Sequence, residues 1–196
     1  MKRAVVVFLV AALALSMLAV LAGCGSDADK DEAMQLMKSG DAYMAEVKQM
    51  TKDLEAEQTD LAAAALEGDM SAISGEAGAA LQEMVMGILD AIAENLEAAS
   101  AEYEKIIALS GVQDYKDYAN KMIEAIGVYM EQLDYTGQLV DMLTEALAAM
   151  AAGEDIDIIS LMMDSEELKK VGELGQEGDA LAAEAKQIQE DKKLEE

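Results

Sequence analysis

Cys24 is the one thiol in a chain of 196 residues, and no histidine accompanies it. A cysteine that attacks a substrate needs a base within hydrogen-bond reach. Without histidine the chain can assemble neither a Cys-His pair nor a Ser-His-Asp triad, and it lacks the imidazoles of Glu-x-x-His di-iron, zincin and His-ligated haem sites. A single cysteine also excludes an intramolecular disulfide. Gly172, Gly175 and Gly178 are closely spaced, but no strand precedes them as a dinucleotide fingerprint requires. Carboxylates and thioethers remain. Asp53, Glu57 and Asp60 share one helical face, as do Glu94 and Glu97. Oxygen donors of this kind suit Ca²⁺ or Mg²⁺, yet the tight turn that orders a calcium loop is missing, and a solvated acidic face accounts for them. Thioethers can hold Cu(I), but most of the methionines lie on apolar stripes where they fill gaps in a core. This inventory supplies no catalytic residue, no metal site and no cofactor, so an enzyme is not expected.

The strongest feature lies at the start of the chain. Lys2 and Arg3 form a short positive region, and residues 4–22 are apolar except for Ser16. A basic start, an apolar run and a small-residue end describe a secretory signal peptide. The run is also long enough to span a bilayer, but a small-small-Cys ending has no role in a simple span. Leu21-Ala22-Gly23-Cys24 resembles the lipobox of bacterial lipoproteins at every position. The resemblance covers the first 24 residues. It implies cleavage before Cys24, acylation of its thiol, and attachment by lipid to the cell membrane or outer membrane on the extracytoplasmic side.

With Lys2 and Arg3 in the leader, the mature part keeps 12 of the 14 basic residues against all 40 acidic ones. Such a surface repels nucleic acid and anionic headgroups, so any membrane attachment must come from acyl chains. Proline and tryptophan are absent, and Ala, Glu, Leu and Met abound. These are strong helix formers, and their periodicity and apolar fraction exclude disorder.

The expected fold is all-α. Gly68, Gly111 and Gly153 recur 43 and 42 residues apart, each after a long helical pattern, as glycines do at helix C-termini. Start signals are read at Ser71 or Ser74, at Asp114 with Asp117, and at Asp164 with Glu167. The stripes alternate steps of three and four. One runs Met37, Gly40, Met44, Val47, Thr51, Leu54; another Leu81, Val85, Ile88, Ile92, Asn95, Ala99; a third Tyr115, Ala119, Met122, Ile126, Tyr129, Leu133 and on to Met150. That period predicts coiled-coil-like packing, with Asn95 and Gln58 setting register. Short connections predict an elongated up-down antiparallel bundle of four long helices, or three plus a looser C-terminal helix. Helices of ~38 residues are ~57 Å long. The expected division is a leader over 1–23, a short lipidated linker over 24–30, a helical bundle over 31–190 and a charged, fraying tail over 191–196. An offset of 86 residues lays Tyr43-Met44 on Tyr129-Met130, which suggests a duplicated hairpin. For Gly172, Gly175 and Gly178 two readings stay open: close packing under a bulky neighbour such as Tyr129 or Tyr135, or a hinge.

Between the third and fourth helices lies an apolar run from Ile156 to Met163, flanked by Glu154, Asp155, Asp157 and Asp164. It either caps the bundle or docks a partner, and in the second case Ile158, Leu161 and Met162 are the expected contacts. The layout resembles in general plan the long-helix lipoproteins of bacterial cell envelopes, a likeness of plan and not of motif. Two roles fit. One is a non-enzymatic interaction or scaffolding module that meets an envelope protein or cell-wall partner at its tip. The other is an acidic lipoprotein that binds a ligand or a divalent cation through its acidic surface or its bundle core.

Overall fold

A chain this rich in Ala, Leu, Met, Glu and Lys, with no proline to interrupt it, loses little by becoming helical throughout. The computed structural model describes residues 26–66 and 75–195, and the side chains of all of these except 26, 57–66, 75, 76, 151, 159 and 163. Five helices follow one another, with no strand among the described residues: α1 (Ser26–Leu66), α2 (Gly75–Ala108), α3 (Gln113–Ala151), α4 (Ile158–Asp164) and α5 (Glu166–Lys192). None of them is long and apolar enough to cross a membrane.

The order of contacts along the rod shows the antiparallel arrangement. Asp114, Lys121, Tyr129 and Gln132 of α3 meet Lys192, Glu184, Asp179 and Val171 of α5 in reverse sequence. Tyr103 near the end of α2 bonds Asp41 near the start of α1. α1 packs on α2, α2 on α3 and α3 on α5, whereas the backbones of α1 and α5 stay apart and their side chains meet at one end, where Gln189 reaches Asp41 and Met37. The bundle is therefore a curved palisade of four helices, open between its first and last members.

Helix ends are made by local chemistry. Gly153 takes φ +94°, its N–H donates to Met150 and that of Glu154 to Ala149, a Schellman ending for α3. Asp157 caps α4 by accepting from the Ser160 N–H. Ser165 caps α5, its Oγ accepting from the Leu168 N–H at 2.9 Å. Asp164 is thus the last residue of α4 and not the cap expected from its spacing to Glu167. Asp114 is not a cap either: the N-cap position of α3 is Val112, which offers no side-chain hydrogen bond and is buried in the core. The starts expected at Ser71 or Ser74 lie outside the described residues.

The core is densest where the start of α1, the α2–α3 turn and the end of α5 converge. Ala33, Leu36, Met37, Leu96, Tyr103, Ile106, Tyr115, Tyr118 and Ala119 are buried there together with Leu194. Two expected boundaries move as a result. α1 already begins at Ser26, with Asp27 and Asp29 in its first turn where the helix dipole favours them, so residues 26–30 are helix and not linker. The tail turns back on the core at Leu194. Lys193 adopts the left-handed conformation at φ 53°, which turns Leu194 back to 3% exposure, and the Tyr115 hydroxyl donates to the Leu194 carbonyl at 2.9 Å. Asn95 has no register-setting role across helices: its amide donates to the Ala91 carbonyl one turn back in its own helix. Gln58 lies outside the described side chains.

Candidate functional site

The gap between α1 and α5 forms a groove of about 700 Å³. Its floor is Leu89, Ile92 and Leu96 of α2 with Met122 and Leu133 of α3. Met44, Val47 and Thr51 make the α1 wall; Gly175, Asp179 and Ala182 make the α5 wall. α1 reaches it because the apolar step of its stripe continues past the dense core, where no fourth helix comes up against it.

One device holds both walls, and it is built from the same three residues. Gly40-Asp41-Ala42 in α1 and Gly178-Asp179-Ala180 in α5 each receive a tyrosine from the neighbouring helix. Tyr103 lies so close to Gly40 that a Cβ there would stand 2.6 Å from its ring, and its hydroxyl donates to Asp41 Oδ1 at 2.7 Å. Tyr129 crosses Gly178 equally closely, 2.5 Å from an added Cβ, and donates to Asp179 Oδ1 at 2.8 Å. The missing side chain lets the ring lie on the helix backbone, and the next residue takes up the hydroxyl. This decides between the two readings of the glycine-rich helix in favour of close packing at Gly178, under the expected Tyr129. Gly175 faces the Gln132 amide, and Gly172 faces open space.

The groove closes at Asp41. Besides Tyr103, Asp41 Oδ1 accepts from the Tyr118 hydroxyl, and Gln189 of α5 reaches Asp41 Oδ2 at 3.5 Å and Met37 Sδ at 3.9 Å. The two tyrosine rings meet edge to face, centroids 5.9 Å apart. Burial pushes the Asp41 carboxyl above its usual range; the hydrogen bonds of Tyr118 and Tyr103 oppose this, and nearby Glu195 adds to it. Burial likewise pushes both hydroxyls up, so they stay protonated donors. A half-buried carboxylate with its acceptors filled is a structural pin and a poor proton acceptor for chemistry.

The second site is the far end of the rod. Ile158 and Met162 of α4 are half-buried, while Leu161 is 36% exposed. α4 therefore both caps and presents: the expected contact residues split, two turned partly inward and one outward. Leu161 and Met142 border a shallow cavity of about 520 Å³ with Ser165 and Glu167. Among the described residues Met84 (42%), Leu168 (40%) and Met150 (37%) are the other large exposed apolar side chains, and each belongs to the half of its helix away from the dense core. Cys24 lies outside the described residues.

Among the described residues no group of three or more His, Cys, Asp or Glu is placed to hold a metal ion. Asp53 accepts from the Gln49 amide at 2.7 Å, and Glu94 and Glu97 stand exposed on α2. The side chains of Glu57 and Asp60 lie outside those described.

No family model matches the chain, and no curated protein or solved structure matches it at a significant level. The sequence pattern missed the groove, because stripe positions look alike whether or not a helix stands opposite. The repeated Gly-Asp-Ala was the available signal: a glycine inside a strong helical stripe, followed by an acid, with tyrosines on the neighbouring stripe.

Proposed function

We propose that the mature chain is a lipoprotein held on the extracytoplasmic face of the cell membrane or outer membrane by acyl groups on Cys24, and that its helical rod serves as a non-enzymatic interaction module of the envelope. The partner, an envelope protein or a cell-wall component, docks at the tip around Leu161, with Ile158 and Met162 behind it. The supporting observation is the polarity of the rod. The end that holds Ser26 is sealed by buried tyrosines and by the turned-back Leu194, whereas Met84, Met150, Leu161 and Leu168 leave apolar surface exposed toward the other. An apolar patch rimmed by Glu154, Asp155 and Asp164 has the composition of a contact surface. Anchoring at Cys24, two residues before α1, would turn the sealed end to the membrane and hold the patch ~50 Å away by helix rise. The test is crosslinking in intact cells, comparing the adducts of the wild-type chain with those of Ile158→Ser/Leu161→Gln/Met162→Gln. Loss of a defined adduct with retained helicity supports the tip; an unchanged adduct pattern rejects it.

A further inference from the structure

Lys48 and Lys52 of α1 and Lys186 of α5 line the groove, in a chain with only 14 basic residues against 40 acidic ones. Among the described residues Lys48 and Lys52 form no ion pair, and Lys186 has a long one, 3.8 Å to Glu190 one turn along its own helix. The aspartates of the groove are differently placed. Asp41 holds Tyr103, Tyr118 and Gln189, and Asp179 holds Tyr129. Glu55, at the other end, is also engaged. The groove thus offers two ammonium groups without an ion pair and a third with only a long one, beside carboxylates that are already engaged. Between them Met44, Val47, Met122 and Leu133 form an apolar channel. From Asp41 to Glu55 it follows α1 for 14 residues, ~21 Å, and its volume falls in the usual range for small-molecule sites, ~300–1,000 Å³.

We propose that this groove binds a single-chain anionic amphiphile of the long-chain carboxylate class. The hydrocarbon chain lies along Met44, Val47, Met122 and Leu133, and the carboxylate is met by Lys48, Lys52 and Lys186. An ammonium on a flexible stem suits this task, since the stem covers the chain while the head stays in water with the ligand's charge. The shape of the site follows from the palisade: a fourth side that α5 closed against α1 would leave no room for the chain.

The experiment uses the full chain in native membranes and a palmitate analogue carrying a diazirine near its methyl end. After irradiation, labelled peptides are mapped by mass spectrometry. Labels are expected on α1 between Met44 and Leu54 and on α3 between Met122 and Thr136, reduced by excess palmitate and not by hexadecanol. Lys48→Gln/Lys52→Gln/Lys186→Gln, all exposed positions, should cut labelling about tenfold, the sum of three weak ion pairs. Val47→Trp, which fills the channel and leaves the lysines in place, should abolish it. Labels outside the groove, equal competition by hexadecanol, or full labelling of the triple-lysine variant would each overturn the proposal.

Discussion

Alanine substitution at the four glycines that bear on the tyrosine clasps and on α5 should give a graded series whose sign is set by what stands opposite each one. An unobstructed Gly→Ala change within a helix gains about 1 kcal/mol from backbone entropy and helix propensity. Gly172 faces open space, so Gly172→Ala should realise that gain and raise the melting temperature by ~2–4 °C for a chain of this size. Gly175 meets the end of the flexible Gln132 side chain at 2.9 Å. The amide can swing away, losing its 3.2 Å bond to the Val171 carbonyl, so the net change should be near zero. Gly178 meets the Tyr129 ring at 2.5 Å, but Tyr129 is only half-buried and can yield outward. Gly40 is the extreme case. The ring of Tyr103 that it faces is fully buried, tied to Asp41 through its hydroxyl and flanked edge-on by Tyr118. Overpacking costs ~1–3 kcal/mol, and straining a hydrogen bond to a charged group adds ~1.5 kcal/mol or more. Against the helical gain of ~1 kcal/mol, Gly40→Ala should lose about 2–3 kcal/mol, a fall of roughly 5–10 °C. Thermal melts of the full chain in mild detergent, followed by circular dichroism, give the ranking directly. A Gly40→Ala chain that melts at or above the wild type would refute the reasoning, because the clasp would then be loose.

Asp41→Asn keeps an acceptor for Tyr103 and Tyr118 but removes the charge. Since the folded pKa of Asp41 lies above 3.8, the native state takes up a proton before the unfolded chain does, so this group makes the wild type more stable as pH falls from that folded value toward 3.8. The stability of the wild type relative to Asp41→Asn should therefore improve on acidification, by at most ~1.4 kcal/mol per pH unit, and urea titrations showing a pH-independent gap would count against it. Cys24→Ser should block acylation and processing by the lipoprotein route; identical fractionation and migration of mutant and wild type on gels would remove the anchor. At the tip, Leu161→Gln alone should change stability by less than ~0.5 kcal/mol, as an exposed position allows, while Ile158→Ser should cost more, ~1–2 kcal/mol, in the same melts.

The helices were legible because their stripes are long and their stops are chemical. Gly153 stands where α3 ends, since only a residue free of a Cβ accepts φ +94° without strain. Starts were harder. Asp114, Asp157, Asp164 and Ser165 are all competent caps, and Asp157 and Ser165 won because they precede α4 and α5, a division that the apolar run did not reveal. The tail was misread through its charge: one leucine, Leu194, is buried once Lys193 turns left-handed, while its charged neighbours stay exposed. The tyrosine over Gly178 could be anticipated because three glycines in two turns of helix require a bulky neighbour or a hinge. The groove could not, since it depends on which pair of helices stays apart, and stripe residues such as Val47 and Leu133 read the same in a closed bundle and an open one.

The palisade also has a temporal meaning. Neighbours in space are neighbours in sequence: α1 with α2, α2 with α3, α3 with α5. Hairpins of this kind have low contact order and can zip up one after another as the chain emerges, without waiting for distant segments. Gln189 is different, since it reaches back 148 residues to Asp41 and 152 to Met37. That seal forms only after the last helix has been delivered. Synthesised N-terminus first, the chain would thus hold most of its helical pairs before it is complete, and would finish by tying its last helix to its first.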